Sequence, residues 1–179
     1  MAEAFSNKLT RAAGIVTTSS SGAVGIGTTI ITGISTVGVA VSDLVDNTNF
    51  IAGTKVSAIG INTVYADRDS TNTAAASAQI FKFLGMTTAY TSAASTKSVL
   101  IGGTFANNTA NSVNLTVEIH DASAGIQAAL ASKIPVPTGS SFVISEAGKT
   151  ILEGTDEVRV FCDTANAIDV NLSILTGVS

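Results

Sequence analysis

Seven consecutive residues, Val113-Asn114-Leu115-Thr116-Val117-Glu118-Ile119, alternate apolar and polar without a fault. Successive side chains of an extended backbone point to opposite faces, so Val113, Leu115, Val117 and Ile119 share one face while Asn114, Thr116, Glu118 and His120 share the other. A strand of this kind needs a sheet with one dry side, which commits at least this part of the chain to β structure. Upstream, Val99, Ile101 and Phe105 alternate in the same way, and Asn107-Asn108-Thr109-Ala110-Asn111 has the composition of a turn. Lys97 to Ile119 therefore reads as a hairpin, with solvent or a partner subunit expected on its polar face.

The remaining segments use the same vocabulary. Met1 to Thr18 carries Phe5, Leu9 and Ile15 without a sustained period, and Thr17 to Gly27 is small and flexible in composition, so 1–27 is expected to form an N-terminal arm and linker. Between Thr28 and Tyr65, the pieces Thr29-Ile30-Ile31, Val37 to Val41, Lys55 to Ile61 and Thr63-Val64-Tyr65 sit between turn residues, which predicts a small β domain over 28–76. Gln79 to Leu84, Phe142-Val143-Ile144, Thr150-Ile151-Leu152, and the alternating sets Val158, Val160, Cys162 and Ile168, Val170, Leu172, Ile174 predict an antiparallel β-sandwich over 77–179. Ala122 to Lys133 fits a helix, through Ile126 and Leu130 at i, i+4, or an extended form. Pro135 and Pro137 lean the choice toward an edge strand over 128–136. The turn Asn108-Thr109-Ala110-Asn111-Ser112-Val113 is echoed by Asp163-Thr164-Ala165-Asn166-Ala167-Ile168, each leading into an alternating strand, as two similar hairpins of a sandwich would. The expected class is all-β: a small N-terminal β domain followed by an antiparallel β-sandwich.

Charge narrows the partners. Only 12% of the residues are charged and the net charge is −4, against roughly 25% charged in ordinary soluble domains. No basic stripe exists to neutralise a phosphate backbone, so nucleic acid is not an expected partner. No apolar run reaches the ~18 residues of a membrane span, and folding in a cytoplasm is expected. So few charges protect a monomer poorly against association, which favours a homo-oligomer over a monomer covered with Ser, Thr, Asn and Gly.

No catalytic constellation emerges. His120 is the sole histidine, and Cys162, the sole cysteine, falls on the apolar face of its strand. Gly22 to Gly27 lacks the Lys-Ser/Thr of a phosphate loop. Asp67 and Asp69 offer two calcium ligands with Arg68 between them, and an ordinary solvated turn is the simpler reading. Asn107, Asn114 and Asn171 begin Asn-x-Ser/Thr triplets, expected to be coincidental since no leader sequence is expected and two lie mid-strand. The only close carboxylates, Asp67 with Asp69 and Asp156 with Glu157, lie on turns, which leaves a hydrolase remote. The chain is expected to be no enzyme and to use no cofactor or metal.

Two stretches are familiar as patterns. Val37-Gly38-Val39-Ala40-Val41, Phe50-Ile51-Ala52-Gly53-Thr54-Lys55-Val56-Ser57-Ala58-Ile59 and Asn62-Thr63-Val64 resemble a β motif of tailed-phage fibre and other virion surface proteins. Tyr90-Thr91-Ser92, Val99 to Asn108, Ile134 to Ser141 and Ile151 to Asp156 look like a β-sandwich module of phage structural proteins, with the usual Tyr-Thr-x-Pro-x-Gly opening replaced by Tyr90-Thr91-Ser92-Ala93-Ala94-Ser95. The resemblance implies a non-enzymatic structural component of a tailed-phage virion, a neck, tail or capsid accessory assembled in the host cytoplasm and packed against itself and other virion proteins. Alternatives are a capsid decoration protein or a virion-surface carbohydrate-binding module with a host glycan as ligand. The candidate interaction residues are Phe5 and Leu9 in the arm, Tyr65 and Tyr90 as exposed aromatics, and His120 on the polar strand face.

Overall fold

A computed structural model describes residues 3–19, 21–145 and 149–178. Its strands, in chain order, are β1 (Ala4–Ala13), β2 (Ile15–Ser19), β3 (Ala23–Val24), β4 (Ile30–Thr32), β5 (Leu44–Asp46), β6 (Val56–Gly60), β7 (Thr63–Ala66) and β8 (Phe81–Gly85). There follow β9 (Thr87–Thr91), β10 (Lys97–Asn107), β11 (Val113–Asp121), β12 (Ile126–Val136), β13 (Ser141–Ile144), β14 (Thr150–Leu152), β15 (Glu157–Cys162) and β16 (Ile168–Val178). The protein is all-β, as the alternation requires. It divides into two compact units, Met1–Gly14 with Thr87–Ser179, and Ile15–Met86.

The first unit has two sheets. Sheet I runs β1-β16-β10-β13, with β14 also on β10, and sheet II runs β12-β11-β15-β9; every pairing is antiparallel. Followed along the chain, the strands fall to the sheets in the order I-II-I-II-II-I-II-I of an eight-stranded jelly roll, β13 and β14 together filling one strand position. Both sheets turn an apolar face inward. Leu100, Phe105, Leu115, Val117, Leu152, Val158, Val160, Cys162, Ile168, Leu172 and Ile174 are completely buried between them.

The expected hairpin from Lys97 to Ile119 does not form. β16 occupies one edge of β10 and β13 and β14 share the other, so β11 has no edge to pair with and crosses to sheet II. Two strands that each own a single apolar face bury more by opposing those faces across a core than by lying side by side. Asn108–Ser112 is thus a corner between sheets, and so is its echo, residues 163–167, which carries β15 back to β16. The two corners lie together at one end of the sandwich. Asn114 N–H donates to Asp163 Oδ1 at 2.9 Å and Asn114 Nδ2 to Oδ2 at 2.7 Å, while Asn108 N–H donates to the Ala167 carbonyl at 3.0 Å. Buried Asn107 fixes the first corner: its Nδ2 donates to the carbonyls of Asn111 and Val136, and its Oδ1 accepts from the N–H and hydroxyl of Thr109.

The second unit, an insertion between β1 and β9, packs a three-stranded sheet III (β2-β8-β5) with a four-stranded sheet IV (β3-β4-β7-β6). Ile31, Val64, Phe81 and Phe83 are fully buried there, and Phe50 meets Phe81 edge-on at a centroid distance of 6.4 Å. The expected divisions at 27/28 and 76/77 move accordingly. Residues 4–13 are an edge strand of the sandwich, 15–24 supply β2 and β3 of the inserted unit, and 77–86 supply its central β8. Gly22 is buried where an added Cβ would lie 2.9 Å from the Phe81 ring, so the small residues of 17–27 serve close packing. Val37 to Val41 is a run of turns, with Gly38 at φ 78° and Val37 82% exposed; β5 takes the strand position instead. The ambiguous 122–133 stretch resolves as the start of edge strand β12.

Two substitutions test this frame by urea denaturation. Gly14 has φ 122°, and a Cβ there would stand 2.5 Å from the Thr164 carbonyl oxygen, so Gly14→Ala is expected to cost about 2–3 kcal/mol. Asn107→Ala removes the donor that joins the Asn111 and Val136 carbonyls and the acceptor of the Thr109 N–H, and is expected to cost about 1–3 kcal/mol.

Candidate interaction surface

The outer face of sheet I carries four of the exposed large apolar side chains of this chain, Phe5, Leu9, Val143 and Ile151. β1 pairs with β16 so that Phe5 stands opposite Leu175; Leu175 stands opposite Val99, and Val99 opposite Ile151. One apolar row therefore crosses four strands, its two ends most open at 75% for Phe5 and 63% for Ile151. A second row runs Leu9, Asn171, Thr104 and Val143, with Leu9 72% exposed. Between these strands lies a shallow groove of about 330 Å³ lined by Leu9, Arg11, Thr104, Ala106, Asp169 and Asn171.

Phe5 and Leu9 thus present an apolar surface, but from a strand of the chain's own sheet rather than from a free arm. Val99 joins them through an irregularity the alternation conceals. Ser98 and Leu100 face the core, yet further along β10 it is Gly103, Phe105 and Asn107 that do so, because the β10–β16 register shifts between Leu100 and Gly102. A bulge reverses which residue parity points inward, and the Gly102-Gly103 pair is its signature in the sequence.

The other candidates do not converge on this face. Tyr90 packs against the sandwich core, and its hydroxyl lies 2.8 Å from Ser98 Oγ, so its ring is no open platform. Tyr65 belongs to the inserted unit, on sheet IV opposite Ile30 and Ala58. His120 lies on the outward face of sheet II, opposite Glu157. Its Nδ1 is 3.9 Å from Glu157 Oε2, an oxygen already accepting from Arg159 Nε at 2.7 Å, and makes no hydrogen bond. The polar face of β11 is largely covered rather than open to solvent. Thr116 and Glu118 are buried, and the Thr116 hydroxyl accepts the Lys133 N–H at 3.0 Å.

One carboxylate of each pair considered for acid–base work holds backbone. Asp156 Oδ1 accepts from Ala122 N–H and Oδ2 from Glu153 N–H, and Asp67 Oδ1 accepts from Lys55 N–H. Burial pushes the Cys162 thiol above its usual range, which keeps it protonated and unreactive. Among the described residues, no group of three or more His, Cys, Asp or Glu side chains is placed to hold a metal. Asn107 and Asn114, first residues of two Asn-x-Thr triplets, spend their amides inside the corner network.

Comparison with protein-family models, with curated proteins and with solved structures finds no match to this chain.

The β11–β12 turn carries a pH dependence. Asp121 Oδ1 accepts from the N–H groups of Ser123 and Ala124 and from the Ser123 hydroxyl. The Ala124 amide foremost, then the Ser123 hydroxyl, hold the carboxyl below its ordinary value of 3.8. A depressed carboxylate contributes stability that is complete above the unfolded-state value and is lost as pH falls through the folded one. Asp121→Ala is expected to unfold at lower urea than the parent at pH 7, the gap closing in acid below pH 3.8.

Proposed function

We propose that this chain is a non-enzymatic structural component of a tailed-phage virion, a neck, tail or capsid accessory protein that works by packing against copies of itself and other virion proteins. The observation that carries the reading is the Phe5-Leu175-Val99-Ile151 row with Leu9 and Val143 beside it. Burying a Leu or Phe side chain is worth about 1.5–3 kcal/mol, and a sheet face that leaves several of them in water gains most when another protein surface covers it. The low charge content agrees, since few charges stand in the way of close contact.

The jelly-roll order supports the same reading as an analogy. This topology is shared by viral capsid and lectin domains, and a fold alone does not fix a task. Of the two aromatics that would serve a carbohydrate module, Tyr90 is engaged with the core and Ser98, so packing accounts for more of the molecule than sugar binding does.

Two measurements test the proposal. Mass spectrometry of purified particles is expected to find the chain, and light scattering of the isolated protein to find an oligomer. A protein that stays monomeric at high concentration and is missing from particles would overturn it. Phe5→Ser with Leu9→Ser is expected to retain the fold and to lower incorporation into particles at least tenfold.

A further inference from the structure

β1 is built the wrong way round for the edge of a two-layer sandwich. Ser6, Lys8 and Thr10 stand opposite Ile174, Leu172 and Val170, all buried in the core, so the polar side chains of β1 point inward while Phe5 and Leu9 point out. A strand that is dry on one side only places its apolar residues on that side. An inward-pointing lysine can serve as a guard against edge pairing, but it does not explain Ser6 and Thr10 on the same side or Phe5 and Leu9 on the other. The pattern is that of a sheet whose outer face is dry as well. The rest of that face agrees. Beside the apolar row Phe5-Leu175-Val99-Ile151 runs a row of short residues, Asn7, Ser173 and Gly102, and then the row Leu9-Asn171-Thr104-Val143. No residue in the three rows is charged. Charges begin beyond them, Lys97 with Glu153 at 3.2 Å at one end and Arg11 near Asp169 at the other.

We infer that the outer face of sheet I packs face to face on the same face of a second copy of this chain, about a two-fold axis that runs along the strands between β16 and β10. Fit selects the second copy. Under this operation each row meets itself with the strand order reversed. Phe5 lies over Ile151 of the second copy, Leu175 over its Val99, Leu9 over its Val143 and Asn171 over its Thr104, apolar on apolar and polar on polar. An axis across the strands would instead lay Leu175 on Asn171 and Val99 on Thr104. Size selects it too. Four strand positions at ~4.8 Å and strands of up to 11 residues at ~3.3 Å outline a face of roughly 20 Å by 35 Å, about 700 Å². The accessible area of a pleated face exceeds its outline, and a standard interface takes about 800 Å² from each partner. A partner recognised by charge finds nothing to hold in the three rows. The inference rests on the assembly reading above and names its first partner and the geometry of the contact.

The test is thiol cross-linking of the full-length chain, with a reagent shorter than the three strand spacings, roughly 14 Å, that separate Phe5 from Ile151 within one sheet. Cys162 is completely buried, so the parent gives no linked dimer. Leu175 lies beside the axis, about 5 Å in plane from its symmetry mate, and Leu175→Cys is expected to link into a dimer. Phe5→Cys, roughly 14 Å in plane from its mate, is expected to give none until Ile151→Cys is added to the same chain. Val99→Lys and Ile151→Lys, each checked by circular dichroism to be folded, should weaken self-association at least tenfold. Self-association that both lysine variants leave unchanged, or in which Leu175→Cys does not link, would overturn the inference and leave the assembly reading standing. A chain that is monomeric in solution yet found in particles would do the same. Linking of Leu175→Cys in particles to a different protein alone would replace the second copy as the occupant. A dimer linked through Leu175→Cys, from a chain missing from particles, would keep the inference and sink the virion reading.

Discussion

The sandwich depends on the pairing of β10 with β16. This ladder is the middle of sheet I, it lends β1 its only partner, and the corners that leave its two strands toward sheet II are bonded to each other through Asn114, Asp163, Asn108 and Ala167. Leu100, Phe105, Leu172 and Ile174 come from these two strands and are fully buried. Neither strand can be lost without exposing the face that sheet II covers. Its partners lie far apart in sequence, and a topology built from such contacts folds slowly compared with one built from local turns.

Alternation made the inward faces of β11, β15 and β16 legible from residues alone. Val113, Leu115, Val117, Val158, Val160, Cys162, Ile168, Leu172 and Ile174 are all where a period of two places them. What alternation cannot carry is the partner of a strand. Lys97 to Ile119 has the composition of a hairpin, and only the competition of β16, β13 and β14 for the edges of β10 turns its loop into a corner. The echo was a real structural relation, though of a different kind: two adjoining sheet-to-sheet corners in place of two hairpins.

Loop-like composition misled where packing demanded small residues. Gly22 is small because Phe81 leaves no space for a side chain, and Gly14 because the Thr164 carbonyl does the same. Runs of Ser, Gly and Ala look alike whether they are solvated or pressed against an aromatic ring. The solvent face of sheet I was half legible: Phe5 and Leu9 were visible as apolar residues in a polar setting, whereas Val99 and Leu175 needed the bulge at Gly102 and the ladder itself to bring them into one row. Tyr90 looked like an exposed aromatic and is partly buried, its ring packed against the sandwich core and its hydroxyl held to Ser98.

The insertion of Ile15–Met86 between β1 and β9 begins and ends almost at one point. Ile15 pairs with Gly85, and one residue outside that rung Gly14 N–H donates to Thr87 Oγ1 at 3.3 Å. An unstructured excursion of roughly seventy residues would add about 2 kcal/mol of closure entropy to docking β1, compared with a tight link. A folded insert with its termini adjoining removes that penalty. To the jelly roll, the whole inserted unit therefore counts, for chain closure, as a short turn.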